Sequence, residues 1–342
     1  MDENMLQQMT ARFPGISCAW TDADGAVCTD CTGQADRERG IPVDAHTIFP
    51  ACSVSKFITA LCVLRLHDQG LLDVDMPVNR YLQQWKLRTT DGLESTAPIR
   101  ALLNHTAGIA DGEDGFYGLR RGDPPVSLMD ILEGRTAYNN RPVRAEQPHG
   151  TAFAYSDAGY CVLQLLVETV TGTDFAQAAR TLVFDELHLE GTFFASPENI
   201  AHYENTRTMA AGYDGDGRLL PGKYPCQPDL AASGLWTTPT ELVRLAQAFL
   251  DALNGRGSLL QQTSAQAIAA PVKDFPWTGL GVFTAGADVL MSQGWGENGQ
   301  CMLKMNVRTG RISVVMTNRN PEVDQEASGV AWLVDQRLPA AD

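Results

Sequence analysis

The order of elements along this 342-residue sequence predicts a mixed α/β (α+β) fold: an antiparallel sheet flanked by helices, with a mainly helical lobe inserted. Three observations predict it. Residues 15–33 alternate and turn like a pair of short strands. Apolar helical runs fill the middle of the chain. Three consecutive strand-like runs and a closing helix occupy the last quarter. Strands at both ends with helices between them imply one sheet built from both termini. The expected division is residues 1–70 with 271–342 as the α/β lobe and 71–270 as the helical lobe. Together they form a single domain with the functional site at the seam.

The first hairpin is "GISCAWTDADGAVCTDCTG", residues 15–33, turning at "DADG". A calcium loop starting at Asp22 would need an acidic residue at its twelfth place, which is Gly33, and "YDGDG" (213–217) meets Pro225 there; both are turns. "FPACSVSKFITALCVLRLHDQG", Phe49 to Gly70, holds a helix from Val54 to Leu66 that is apolar on nearly every side, so it should be buried. "APIRALLNHTAGI" predicts a short helix ending at Gly108, and residues 110–150 predict surface loops with one helix near Leu128–Leu132. "GYCVLQLLVETVTG" predicts an amphipathic helix stopped by Gly172. "TPTELVRLAQAFLDALNG" predicts another, started by Thr238 or Thr240. "EASGVAWLVDQRL" reads as one closing helix.

Composition excludes several classes. The net charge is −15 and the pI about 4.8, which argues against nucleic acid and anionic membranes. No apolar run reaches the roughly 18 residues that span a bilayer, and "MDENMLQQMTARFPG" lacks the basic and apolar regions of a secretion signal. A cytoplasmic location is expected, and eight cysteines suit a reducing compartment as small buried hydrophobes. Cys28 and Cys31 lack the second pair that a zinc site requires, so no metal site is expected there, and nothing else in the sequence implies a metal or organic cofactor. There is no G-x-S-x-G, no H-E-x-x-H and no Walker A sequence. Gly294, Gly296 and Gly299 form a G-x-G-x-x-G, but a strand-like run follows where a dinucleotide site needs a helix.

One oddity remains. Lys56 sits in the first turn of the apolar helix, where the helix dipole favours anions and burial is costly. Ser53 lies three residues earlier on the same face. A serine N-cap with a stray lysine would explain the pair. So would a nucleophilic serine beside an amine whose charged form burial disfavours, with helix N–H groups ready for an oxyanion.

A second element favours chemistry. Tyr155-Ser156-Asp157 forms a loop just before the helix that ends at Gly172. S-x-x-K followed by such a loop resembles the serine β-lactamase-like proteins: class C β-lactamases, penicillin-binding D-peptidases and related esterases. "LLDVDMPVNRYL", "LLNHTAGI", "AASGLWTTPTELVRLAQAFL" and "GRISVVMTN" are similar to signature stretches of that family and fall in its order, from about Ile16 to Asn318. The resemblance implies Ser53 as acylated nucleophile, Lys56 sharing its proton with Tyr155, and Tyr155 as general base and then proton donor to the leaving group. Asp157 departs from the family's usual Asn and would favour an amine over an anion. It implies His105 as a loop-orienting residue, and "DGED" (111–114) reads as solvated surface. The family's third motif, K-T-G or H-x-G, falls in "LMSQGWGENGQC", Leu290 to Cys301, with no Lys or His. Gly294-Trp295-Gly296 is similar to the Trp-Gly-Gly of some family esterases. Gln293 or Ser292 takes the Lys/His place in other registers, and an N–H from Trp295 to Glu297 completes the oxyanion hole in all of them.

The function so implied is a serine hydrolase cleaving small ester or amide substrates through an acyl-enzyme on Ser53. The alternatives are a β-lactamase or D-amino-acid peptidase or amidase, an acyltransferase, or a non-catalytic binding protein. A small-molecule substrate is the expected partner.

Overall fold

The computed structural model describes residues 9–112, 116, 123–124 and 126–338. Its strands are β1 (Gly15–Thr21), β2 (Val27–Asp36), β3 (Ile41–Pro42), β4 (Phe49–Cys52), β5 (Arg88–Thr89), β6 (Arg144–Ala145), β7 (Phe193–Phe194), β8 (Leu235–Thr237), β9 (Phe283–Thr284), β10 (Val289–Gly296), β11 (Gly299–Asn306) and β12 (Ile312–Thr317). Seven of them form one antiparallel sheet in the order β3-β2-β1-β12-β11-β10-β9. The first strand therefore pairs with the last, Ile16 opposite Thr317 and Trp20 opposite Ser313. The β1–β2 hairpin closes where Asp22 Oδ1 accepts from the N–H groups of Asp24 and Ala26, and Gly25 adopts φ +83°. Cys28 and Cys31 both lie on β2.

Each face of the sheet is covered. Ile16, Cys18, Met302 and Val315 meet Val330, Leu333 and Val334 of the helix Val330–Arg337. The other face joins the main core, which includes helix α1 (Ser55–Asp68), helix α2 (Asp157–Thr171) and helix α3 (Pro239–Leu253). Helix α1 is buried from Ser55 through Leu64, since an all-round apolar surface is stable only with neighbours on every side. Phe57 meets Phe249 of α3 edge to face, with ring centroids 5.3 Å apart. Thr238 caps α3 by accepting from Glu241 N–H. Among the described residues no helix is long and apolar enough to cross a membrane.

Three helix readings shift. The helix beginning at Ile99 ends at Leu103 rather than Gly108. Asn104 Oδ1 accepts from both the N–H and the hydroxyl of Thr106, and His105 takes φ +61°, so the chain reverses at once. The closing helix is two, Gln325–Ser328 and Val330–Arg337, broken by Gly329 at φ +93°. Helix α2, expected to be amphipathic, is buried continuously from Ala158 to Val167 because α1, the helix Leu230–Ser233 and the helix Ile99–Leu103 surround it.

Strand β4 leads into α1 and lies against β10 and β11. The approach is close: a Cβ on Gly294 would stand 2.1 Å from Ala51 O, and one on Gly296 2.7 Å from Cys52 Sγ. Backbone cannot yield as a flexible side chain can. Gly294→Ala is therefore expected to lower stability by roughly 2–3 kcal/mol, the upper range of overpacking costs. Urea unfolding checks this, and an unchanged midpoint would show that β10 separates freely from β4.

Candidate active site

Ser53 sits between β4 and α1. The preceding residue, Cys52, has φ +48°, an uncommon conformation for a side chain with a Cβ, and this turn swings the chain from strand to helix. Ser55 locks the junction. Its hydroxyl donates to Cys52 O at 2.6 Å and accepts from Leu235 N–H of β8 at 2.9 Å. Thr59, one turn on, donates to Ala231 O at 2.7 Å, fixing α1 against the helix Leu230–Ser233.

That docking sets the position of Lys56, which is 3% exposed. Its Nζ donates to Ser53 Oγ at 3.1 Å and to Ala232 O at 3.0 Å, and stands 2.5 Å from Asp157 Oδ1. The last contact is a buried ion pair. The ammonium also lies 4.7 Å from the Tyr155 ring centroid and 5.4 Å from that of Tyr160.

The expected effect of burial on this lysine is overturned. Burial does push its pKa down, but Asp157, then Tyr155, push it further up, and the net direction is upward. Lys56 is thus held as an ammonium in the resting site. Asp157 is the first residue of α2, not part of a preceding loop, so its carboxylate projects from the helix toward Lys56.

Tyr155 is 40% exposed, while its hydroxyl interacts with Lys56 and Ser53. Burial of that hydroxyl raises its pKa against the opposing pull of Lys56, so it rests as a phenol. His105 supports the ring from below, stacked with centroids 4.4 Å apart. Its Nδ1 accepts from Ser156 N–H at 3.1 Å, which assigns the proton to Nε2. Burial and then Lys56 lower its pKa well below 6.5, keeping it neutral.

Two carboxyl groups, one half-buried and one buried, have no signal in the sequence. Asp111, taken with "DGED" as solvated surface, is half-buried at the start of α2. It accepts from Ser156 Oγ at 2.8 Å, Asp157 N–H at 2.7 Å and Ala158 N–H at 2.9 Å. A carboxylate there satisfies orphan donors and complements the helix dipole. Glu113 and Asp114 lie outside the described residues. Asp229, 1% exposed, accepts from the Tyr138 hydroxyl at 2.5 Å, and among the described residues its Oδ2 has no hydrogen-bond donor. Burial and then Asp157 raise its pKa well above the usual carboxylate range. No local pattern announces either residue, because their partners lie far off in sequence.

The stretch expected to hold the third motif forms the β10–β11 hairpin. Gly294 and Gly296 face β4, where any side chain would collide. Gln293 is exposed on the opposite face of the strand. Trp295 is 45% exposed and donates from Nε1 to Asn320 Oδ1 at 2.7 Å. Trp295, Gly296 and Glu297 line a cleft of about 240 Å³ with Ser53, Asp157 and Ser233, whereas Gln293 and Gly294 stay outside it. The structure thus gathers Ser53, Lys56, Tyr155 and Asp157 at one point and sets Trp295 to Glu297 on its rim. An ammonium that meets the Ser53 hydroxyl, the Tyr155 phenol and the Asp157 carboxylate forms with them a proton-exchanging group around a potential nucleophile.

This combination of fold and site is that of the serine β-lactamase-like proteins. The chain belongs to the beta-lactamase family, whose match runs over residues 1–336. It is 34% identical over 170 residues to Esterase EstB of Burkholderia gladioli, covering 48% of this chain and 43% of that protein. It is 28% identical over 243 residues to Penicillin-binding protein 4 of Amycolatopsis lactamdurans, covering 70% and 60% respectively. The chain therefore spans less than two thirds of the length of either relative. Among solved structures, SurE with D-Leu is 25% identical with a TM-score of 0.75, covering 98% of this chain and 73% of that one.

Proposed function

We propose that this protein is a serine hydrolase that cleaves small esters or amides through an acyl-enzyme on Ser53. The observation that carries this reading is the 3.1 Å contact between Ser53 Oγ and Lys56 Nζ, with the Tyr155 hydroxyl beside both. Lys56 and Tyr155 both rest protonated, so the pair first gives up one proton to solvent. Tyr155 then accepts the Ser53 proton as Oγ attacks the substrate carbonyl. The N–H groups of Ser53 and of the Trp295–Glu297 stretch receive the oxyanion. Tyr155 returns the proton to the departing alcohol or amine as its bond to carbon breaks. Water, deprotonated by the same pair, releases the acid and regenerates Ser53.

An ester or amide is favoured over a penicillin by the charge of the cleft. Among the described residues its lining presents Asp157 and Glu297 and neither arginine nor lysine, so a substrate carboxylate has no bidentate partner there. The name of the EstB relative points the same way. A reducing, cytoplasmic setting suits the eight cysteines, which all stand as free thiols.

Intact-protein mass spectrometry after a fluorophosphonate probe tests this. One phosphonyl adduct is expected, absent in Ser53→Ala, and no adduct from benzylpenicillin. A stable penicillin adduct would move the protein to the penicillin-binding branch. Silence toward both reagents would leave a binding protein that retains the fold.

A further inference from the structure

Five aromatic side chains line up on one flank of Ser53, and none of them lines the 240 Å³ cleft on the other. Tyr155 is the innermost. Its ring stacks on Phe283 of the edge strand β9, with centroids 6.3 Å apart and planes 26° from parallel. Phe283 meets Phe153 at 6.5 Å, Phe153 meets Trp277 at 6.0 Å, and Trp277 meets Phe275 at 5.7 Å. Tyr155 and Trp277 are 40% and 48% exposed, and the three phenylalanines are partly exposed.

The wall is built, not adventitious. Phe153 and Tyr155 alternate along one extended segment, held where Ala154 N–H donates to His105 O. On the other side, backbone bonds from Thr284 N–H to Trp277 O and from Val272 N–H to Thr278 O fix Trp277 and Phe283 in one hairpin. A contiguous exposed aromatic surface ordinarily marks a binding site, since it loses water contact only when covered.

We propose that this wall is the leaving-group subsite, and that the protein prefers esters or amides whose alcohol or amine carries an aromatic or bulky apolar group. The proposal rests on the serine hydrolase reading above. Tyr155 is both the inner end of the wall and the group that hands a proton to the departing atom. As the bond from carbonyl carbon to that atom breaks, its electron pair takes the Tyr155 proton, so the departing group leaves along the rings. The acyl group, joined to Ser53 Oγ, occupies the polar cleft beyond Asp157 and Ser233.

The test compares ethyl acetate with 2-phenylethyl acetate, which share an acyl group. In the wild-type protein kcat/KM is expected to favour the aromatic ester. Trp277→Ala should lower it three- to tenfold for 2-phenylethyl acetate and leave ethyl acetate unchanged, in line with the worth of aromatic contacts. Fluorophosphonate labelling of Ser53 should stay at the wild-type rate. Equal losses on both esters, no loss on either, or a shift in oligomeric state on removing Trp277 would overturn the proposal. Binding of 2-phenylethanol keeps it separate from the hydrolase reading. It should quench a fluorescence signal that Trp277→Phe abolishes, even in a protein whose Ser53 no probe labels. No quenching by 2-phenylethanol overturns the wall, whereas no labelling of Ser53 overturns only the chemistry.

Discussion

Replacing Lys56 with methionine is expected to cost about 3 kcal/mol of stability, the lower end of what breaking a buried ion pair costs. Methionine fits the volume of the lysine stem, so packing changes little. What is lost is the ammonium that faces Asp157 Oδ1 at 2.5 Å and donates to Ala232 O. The lower end is chosen because the Asp157 side chain is 19% exposed and can regain some solvent. The cost belongs to the stranded carboxylate rather than to the missing lysine. The double variant Lys56→Met with Asp157→Asn should therefore recover most of the stability, a coupling that urea unfolding of the four proteins measures. Acyl-enzyme formation should fall by about 10³-fold in both, because Tyr155 loses the partner with which it exchanges the proton taken from Ser53. Lys56 has its folded pKa raised above the ordinary 10.5, so its contribution is complete below that pH and fades only as pH climbs through the folded value. Equal stability of the single and double variants at neutral pH would sink the ion-pair account.

Much of the scaffold is legible because its causes are local. Ser53 stands in the turn that opens α1, where Lys56 N–H donates to Ser53 O, so one local turn brings the two residues together. Thr238 before Pro239 starts α3, and Gly172 at φ +72° ends α2, since caps act over one turn. The family resemblance extends this to the fold itself, and the whole-chain family match agrees with it. What sequence cannot supply is the sign of a balance between distant groups. The apolar helix announces the desolvation of Lys56, but the carboxylate that reverses its effect stands on another helix. Asp111 reads as one more surface acid in "DGED" until folding sets it on the first turn of α2. Asp229 and Tyr138 find each other the same way. Resemblance alone implies His105 as loop-orienting; the contacts it makes with Tyr155 and Ser156 come from a different part of the chain.

Replacing Asp157 with asparagine is expected to move the alkaline-going limb of kcat/KM toward acid by about one pH unit or more. Under the proposed mechanism the Lys56–Tyr155 pair must shed a proton before it can take one from Ser53. Asp157 opposes that loss at both members: it is the chief influence holding Lys56 up, and it also raises Tyr155. Asparagine keeps the shape and removes the charge, so both shifts run in one direction. The neighbours do not reverse it. Asp111 and Asp229 are themselves raised partly by Asp157 and become easier to ionise without it, which returns only part of the lost negative charge. His105, already neutral, adds none, and the phenols of Tyr138 and Tyr160 and the Cys161 thiol have pKa values pushed upward by burial. One unit corresponds to about 1.4 kcal/mol, a modest fraction of the several kcal/mol that a close ion pair near a protein surface represents. The variant should therefore be more active than the wild-type protein near pH 7 and equal to it well above the limb. A limb that stays in place would assign the rate-limiting proton elsewhere. Loss of activity at every pH would instead make Asp157 the acceptor that relieves Lys56 of its proton, and a carboxylate at this position would then be a requirement of the reaction rather than a brake on it.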